Sequence, residues 1–271
     1  MSTISTPSAG ALKLPTHLDL PDSDGRPVEN CLELPQSMLL TDSIVPVLRR
    51  RHPDGMFAIG SNSGIYWKIT DPPLDGCRAP DWYYIPGVHP GKIDGHYRRS
   101  YVLWQEKVVP FILLEFASGD GSEERDRTPE TGKFWVYEQG IRAPIYGIFN
   151  CETSELQMNR LVQGRYQRQE PNERGHFSIP EMGVELGTKM GTFLNITWRW
   201  MRWFDLEGTL IPIGHEIAEQ AQKQVDQVQK QVEQVQKQVE QAQKQAEQAQ
   251  QRADRLAEQL RKLGVSPENG P

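Results

Sequence analysis

The stretch FILLEFASGDGSEERDRTPETGKFWVY, residues 111–137, decides the fold that the sequence predicts. An apolar run at 111–114 stops at a charged residue, Glu115, and a polar loop follows. A short apolar run bounded by turn residues is typical of a buried strand. Glu115 is therefore expected at the edge of a strand, where the apolar run ends.

A helix predicted after the loop would bring an amine to the same end of the sheet. Thr-Pro-Glu at 128–130 has the chemistry of a helix start, and Gly140 suits a left-handed helix end. Lys133 would then lie in the first turns, near Glu115. The residues also allow a plainer interpretation, in which Glu115 is a strand-end carboxylate facing water and Lys133 is a solvated helix charge.

The composition limits the class of protein. A chain of 271 residues suggests one folded domain with an appendage. The 3 cysteines stand far apart and form no Cys-x-x-Cys pair, which indicates a reducing compartment without a disulfide framework or zinc knuckle. Since neither a secretory signal nor a long apolar run occurs, we expect a cytoplasmic protein with no membrane partner.

The net charge of −6 is spread unevenly, because residues 216–263 are neutral and residues 1–215 carry −5. Nucleic-acid binders usually present a basic surface, so this chain would have to concentrate its positive charges locally. A helix predicted at 35–50 ends in three arginines, 49–51. Both the helix dipole and contact with phosphate explain such an end.

The order of the predicted elements indicates a mixed α/β (α+β) domain. In the Trp-Arg alternation at 198–203, a half-buried strand is favoured over a surface that stacks on nucleic-acid bases. The remaining predicted strands are 56–60, 64–70, 82–85, 145–150 and a hairpin of 156–162 with 166–169.

Heptad spacing dominates the C-terminal region. Apolar residues alternate spacings of three and four from Ala218 to Leu263, which predicts a coiled coil roughly 70 Å long. We expect a homo-oligomer, dimer or trimer, through residues 218–263, the alternative being a solitary or folded-back helix. Glutamines flank these apolar residues, the seam of the coiled coil, and specify neither the number of helices that associate nor their relative orientation. The predicted boundaries are a flexible segment at 1–22, a domain at 23–212, a coiled coil at 215–264 and a disordered tail at 265–271.

Several familiar catalytic motifs do not occur in the sequence. It contains no His-Glu-x-x-His zinc motif, Walker phosphate loop, Gly-x-Gly-x-x-Gly or Gly-x-Ser-x-Gly. The acidic loop from Asp120 alternates like a calcium loop, but Arg125 and Thr131 replace the required glycine and glutamate. A solvated acidic loop is the favoured interpretation.

The remaining candidates are Asp81, Glu115 and Lys133. Two carboxylates at strand ends suit a hard cation, Mg²⁺ or Mn²⁺, that retains waters able to act as nucleophiles. Lys133, protonated at neutral pH, would orient that water or stabilise developing negative charge. It would act as a base only if burial lowers its pKa.

These residues carry a resemblance to a known family. Pro80-Asp81, the strand ILLEFAS at 112–118, the charged loop 123–126 and Lys133 before Tyr137 resemble the Uma2 (DUF820) family, within the PD-(D/E)xK nuclease superfamily. The resemblance covers roughly residues 20–210. It implies a restriction-endonuclease-like mixed sheet flanked by helices, with Mg²⁺-dependent hydrolysis of DNA phosphodiester bonds.

The resemblance also implies roles for individual residues. Asp81 and Glu115 would be metal ligands, joined by the backbone carbonyl of Phe116, and Lys133 would be the active-site lysine. The superfamily places that lysine two residues after the acid, a position that Ala117 holds here. An upstream helix acid, Glu29 or Glu33, would complete the site.

Two hypotheses from different classes follow from the sequence. The first is a Mg²⁺-dependent DNA endonuclease, oligomerised by its coiled coil. The second is a catalytically silent interaction module that keeps the nuclease-like fold and recruits a partner through the coiled coil; the acidic domain and Ala117 favour it. Phosphate chemistry on RNA or a small nucleotide is a third possibility.

Overall fold

A computed structural model describes residues 14–21 and 31–262. The chain separates into two units that divide between Ile213 and Gly214. Several predictions concern residues 1–13, 22–30 and 263–271, including the disordered tail at 265–271, and these lie outside the described residues. Within the described residues, no helix combines the length and apolar character needed to cross a bilayer.

The elements of the first unit confirm the predicted mixed α/β (α+β) class. In chain order they are α1 (Glu33–Arg51), β1 (Phe57–Gly60), β2 (Ile65–Tyr66), a 3-10 turn (Pro73–Gly76), β3 (Cys77–Arg78), β4 (Trp82–Pro86), β5 (Lys92–Ile93), β6 (His96–Tyr97), β7 (Tyr101–Val102), α2 (Leu103–Glu106), β8 (Ile112–Ala117), α3 (Lys133–Trp135) continuing as a π-helix (Val136–Ile141), β9 (Ile145–Asn150), β10 (Leu156–Val162), β11 (Arg165–Arg168), β12 (Phe177–Ile179), β13 (Val184–Phe193) and β14 (Ile196–Phe204). The second unit contains α4 (Gly214–Lys262), as predicted for the long C-terminal helix.

A six-stranded mixed sheet in the order β1-β4-β8-β9-β10-β11 forms the centre of the first unit. Strands β8 and β9 run parallel, and the other neighbours in this sheet are antiparallel. Parallel neighbours need a crossover connection. The loop and helix between Ala117 and Ile145 supply it, which places α3 against the sheet.

The two faces of the sheet are covered differently. On one face, α1 and the sheet β12-β13-β14 share a buried cluster with Leu114 and Phe116. On the opposite face, Leu113 and Ala117 join a cluster with the helix 133–141. Successive side chains of a strand alternate between faces, so Glu115 points towards the helix.

The central strand is longer than the sequence predicts. The prediction ended the strand at 114, whereas β8 continues to Ala117 and all six residues are buried. Glu115 therefore lies inside the strand, where it is 2% exposed. Its charge is accommodated inside the strand because Lys133 and Tyr137 on the covering helix bind it.

The predicted helix start at 128–130 is wrong. Glu130 has a left-handed backbone, with φ of 64°, and the Asp126 carboxylate accepts hydrogen bonds from Thr128. These residues form a turn, and the helix begins at Lys133 after Gly132. A Cβ on Gly132 would stand 2.4 Å from the Asp126 carbonyl oxygen, so the close approach requires glycine.

The helix also ends later than predicted. It continues through Gly140 to Ile141, and Arg142 takes the left-handed position, with φ of 64°. Gly140 serves packing, because a Cβ there would stand 2.6 Å from the Trp67 ring.

Other predicted elements are confirmed. Helix α1 spans the expected segment, and β10 and β11 form the predicted hairpin. The Trp-Arg alternation lies in β14, paired along its length with β13. The strand predicted at 64–70 is shorter, since only Ile65 and Tyr66 pair with neighbours.

Residues 14–21 pack against the small sheet β3-β2-β7, although they belong to the segment predicted to be flexible. Leu20 is buried with Tyr66 and Val102, and the Tyr66 hydroxyl donates a hydrogen bond to the Pro21 carbonyl.

Candidate active site

Two acidic residues, Asp81 and Glu115, lie close enough on the central strands for their charges to interact. In the antiparallel pair of β4 and β8, Trp82 lies opposite Leu114, so the next position places Asp81 opposite Glu115. The backbone N–H of Phe116 donates a hydrogen bond to the Asp81 carboxylate at 2.5 Å, which fixes that carboxylate beside the strand. Like charges directly opposite one another destabilise a sheet, so this pair needs compensation.

The covering helix compensates Glu115 with two side chains. Lys133 Nζ lies 3.4 Å from Glu115 Oε2, and the Tyr137 hydroxyl donates a hydrogen bond to Oε1. These two residues are four apart and share one face of the helix. Both oxygens of the buried carboxylate therefore have a donor, and the plainer interpretation of a water-facing Glu115 is wrong.

The acidic loop contributes a third carboxylate. Glu124 is 4% exposed, and its Oε1 lies 3.0 Å from Lys133 Nζ. The Tyr146 hydroxyl donates to the Glu124 backbone carbonyl at 2.9 Å and holds the loop against the sheet. At Glu124 the prediction of a solvated loop is wrong, because Lys133 attracts this acid inward. Glu123, 65% exposed and 3.4 Å from the same amine, stays at the surface.

Helix α1 brings a fourth acid to the neighbourhood. Glu33, in the first turn, is 3% exposed, and its charge raises the pKa of Asp81. The Ser37 hydroxyl donates to the Asp81 backbone carbonyl at 3.2 Å, which ties α1 to the start of β4. Of the two upstream acids considered from the sequence, Glu33 lies here and Glu29 lies outside the described residues.

The acidic pair is held in an environment that disfavours two negative charges. Burial and the Glu115 charge raise the pKa of Asp81, and the Phe116 N–H opposes them. Burial also raises the pKa of Glu115, against the opposing effects of Lys133 and Tyr137. A second positive charge near the pair would therefore be strongly favoured.

Lys133 is a permanent cation in this setting. Burial lowers its pKa, but the carboxylates of Glu115 and Glu124 outweigh burial and raise the pKa above its ordinary value. A role as a base would require the opposite pKa shift, so Lys133 stays protonated at neutral pH.

The donor set at this edge of the sheet fits a hard divalent cation. Asp81 and Glu115 supply carboxylate oxygens from neighbouring strands, and together with Glu124 they oppose the single charge of Lys133. In the described parts of the chain, no group of three or more His, Cys, Asp or Glu side chains is arranged to hold a metal ion. Mg²⁺ needs fewer, since it is commonly bound by one or two carboxylates and keeps several waters.

Sequence reasoning did not place Tyr137 or Glu124 in the site, although the sequence contains a signal for Tyr137. Tyr137 follows Lys133 by four positions, which on a helix implies a shared face. Glu124 had no such signal, because an acidic loop residue is normally solvated.

Comparison with known proteins identifies a family. A family model described as "Uma2: Putative restriction endonuclease" matches residues 33–196. The matched segment contains Glu33, Asp81, Glu115, Glu124 and Lys133. No curated protein matches the chain.

Replacing Lys133 with alanine is expected to destabilise the fold, because it leaves buried Glu115 and Glu124 without a counter-charge. Removing one partner of a buried ion pair costs roughly 3–5 kcal/mol. The Lys133 side chain is 20% exposed, so we expect a loss near the bottom of that range. The measurement is urea unfolding at neutral pH.

Lys68→Ala is the matched control. Lys68 pairs with Glu130 at the surface, where the two side chains are 35% and 61% exposed. Exposed pairs contribute about 0–1 kcal/mol. Equal losses in the two variants would contradict the assignment of Lys133 as the counter-charge of a buried acidic cluster.

Proposed function

The chain belongs to the Uma2 family, and from that membership and the acidic pair of Asp81, just before β4, and Glu115, on β8, we propose that it is a Mg²⁺-dependent endonuclease that hydrolyses DNA phosphodiester bonds. The observation that carries the proposal is the opposition of Asp81 and Glu115 beside a single ammonium group. A site with an excess of carboxylates over positive charges attracts a divalent cation, and hard oxygen donors favour Mg²⁺.

In this proposal Asp81, Glu115 and the backbone carbonyl of Phe116 hold the metal, with Mn²⁺ as an alternative to Mg²⁺. When bound there, the ion would polarise the scissile phosphate and lower the pKa of a water. Glu33, on α1, is the nearby acid that would complete the site.

The remaining residues position charge. Protonated Lys133 stabilises the negative charge that develops on the phosphoryl oxygens as the bond to the attacking oxygen forms. Glu124 holds the Lys133 amine at 3.0 Å, and the Tyr137 hydroxyl holds one oxygen of Glu115. Each charged group is thus fixed by a second partner before substrate arrives.

An alternative function is a catalytically silent interaction module. Ala117 stands where the superfamily has its lysine, and Lys133 is engaged by carboxylates on the loop as well as on β8. These observations suit a retained fold without catalysis, in which the C-terminal helix recruits a partner.

Incubation of the protein with supercoiled plasmid and Mg²⁺ or Mn²⁺ separates the two functions. We expect the parent chain to nick the plasmid, and Glu115→Gln and Lys133→Ala each to lower the rate at least 100-fold, because charge stabilisation at a reacting phosphate is worth several kcal/mol. Lys68→Ala, which removes an equal charge from a surface pair, should retain the parent rate. Absence of nicking and of metal binding in the parent would favour the interaction module.

We further propose that α4 assembles the protein into a dimer or trimer through residues 218–263. None of the described residues of α4 is buried. The apolar seam is uncovered along its middle, where Val225, Val228, Val232, Val235 and Val239 are 49–58% exposed. A repeated apolar seam on a long helix is stabilised when a second copy covers it. Tethering active sites in this way raises their local concentration on the two strands of a duplex.

Sedimentation of the full chain at micromolar concentration tests the assembly. Val228→Lys combined with Val235→Lys places two charges in the seam and should convert the oligomer to a monomer. Gln227→Lys with Gln234→Lys adds the same charges one position away, outside the seam, and should leave the oligomer intact. A parent chain that is monomeric throughout would refute this assembly while leaving the catalytic proposal standing.

A further inference from the structure

Three arginines lie around the C-terminal half of the helix 133–141, although they come from three different segments of the chain. Arg127 belongs to the loop before the helix, Arg142 follows its last residue, and Arg165 begins β11. We infer that these three side chains, the arginine ledge, bind the phosphodiester backbone of DNA and hold it across the candidate active site. This inference rests on the proposed function and specifies how its substrate is held.

Two members of the arginine ledge are held in place by their surroundings, and the third lies between them along the chain. The Arg127 guanidinium lies 3.7 Å above the Phe134 ring, and Arg165 Nη1 lies 3.0 Å from Glu138 Oε2. Arg142 lies beside the hairpin turn, its Nη2 3.9 Å from where a Cβ on Gly164 would stand. Side chains that are already positioned lose less conformational freedom when they bind a phosphate.

The ledge carries excess positive charge at the surface. Its one internal carboxylate, Glu138, lies beneath it at 2% exposure, 3.7 Å from Arg127 and 3.0 Å from Arg165. The Tyr166 N–H also donates to this carboxylate at 2.6 Å. Two guanidinium groups therefore share one buried negative charge, and the exposed Arg142 adds a further positive charge after the helix. Arg127 and Arg165 remain 60% and 72% exposed, so their donors are accessible to a ligand.

Three arginines elsewhere in the first unit each pair with one acid. Arg98 pairs with Glu106, Arg160 with Glu181, and Arg168 with Glu155. The arginine ledge differs because its arginines outnumber their acid. In an acidic protein this is the local concentration of positive charge that phosphate binding requires.

The helix sets the spacing between the ledge and the site. Glu138 follows Lys133 by five residues, so the ledge lies within two helical turns of Lys133. A backbone whose scissile phosphate lies at Lys133 would thus place a nearby phosphate at the ledge. Planar guanidinium groups bind phosphate oxygens in pairs, which suits this contact.

The test is binding of a short fluorescent DNA duplex, followed by anisotropy without divalent cations so that no cleavage occurs. Arg142→Gln combined with Arg165→Gln should lower affinity at least tenfold at about 100 mM salt. Between about 50 and 200 mM salt, the slope of log K against log salt should fall in magnitude by about two, since each phosphate contact contributes about 0.9.

The matched control is Arg49→Gln with Arg50→Gln. It removes the same charge from exposed arginines in the last turn of α1, the end opposite Glu33. This control should reproduce the parent slope and affinity, and thermal unfolding of both double variants checks that they fold.

If the parent chain nicks plasmid, two results would refute the phosphate-binding role of the arginine ledge and leave the proposed nuclease function standing. One is a parent-like slope in Arg142→Gln with Arg165→Gln, and the other is an equal loss in the control, which would indicate a diffuse charge effect. A parent chain that binds no duplex at any salt concentration would overturn both the ledge and the proposal that DNA is the substrate.

Discussion

The first unit depends on a conflict of charge between two neighbouring strands. Antiparallel pairing of β4 and β8 puts Asp81 opposite Glu115, and the alternation of β8 turns Glu115 towards the covering helix. A buried carboxylate in that position destabilises a fold unless a donor or cation meets it. Lys133 and Tyr137 supply those partners, so the helix is held to the sheet by polar contacts at one end and by aromatic packing along the rest.

The same helix divides the surface into two regions of opposite charge. Acids from β4, β8 and the loop surround Lys133 at its start, whereas arginines gather around Glu138 and the helix end. The acidic region suits a cation, and the basic region suits the phosphates that a nuclease must hold. An acidic chain can in this way present a local surface for a polyanion without being basic overall.

The sequence was sufficient for the elements whose patterns are local. Helix α1, the hairpin of β10 and β11, and the long helix α4 each appear in the structure where the pattern indicates them. The structure also brings Asp81, Glu115 and Lys133 together, while their roles in a site stay a prediction. Strand ends and a following helix are enough to predict that they share one edge.

What the sequence did not reveal depends on contacts between distant segments. The sequence predicts that Glu115 ends its strand. The strand instead continues past Glu115, because Lys133 and Tyr137 from the covering helix allow this carboxylate to be buried. Thr128 resembled a helix cap until the Asp126 carboxylate bound it in a turn. Glu124 resembled a solvated acid, since its burial depends on Lys133 nine residues later. At Glu115 and Glu124 a contact with the covering helix outweighed the local preference, whereas at Thr128 one local preference, the turn with Asp126, outweighed another.

Calorimetric titration with Mn²⁺ and Mg²⁺ tests the central claim most directly, because it measures whether the opposed carboxylates hold a divalent cation without requiring any substrate. We expect saturable binding by the parent chain and its loss in Asp81→Asn, which keeps the shape of the side chain and removes one of the two opposed charges. Equal binding by the parent and Asp81→Asn, or no binding by either, would contradict the assignment of this strand pair as a metal site.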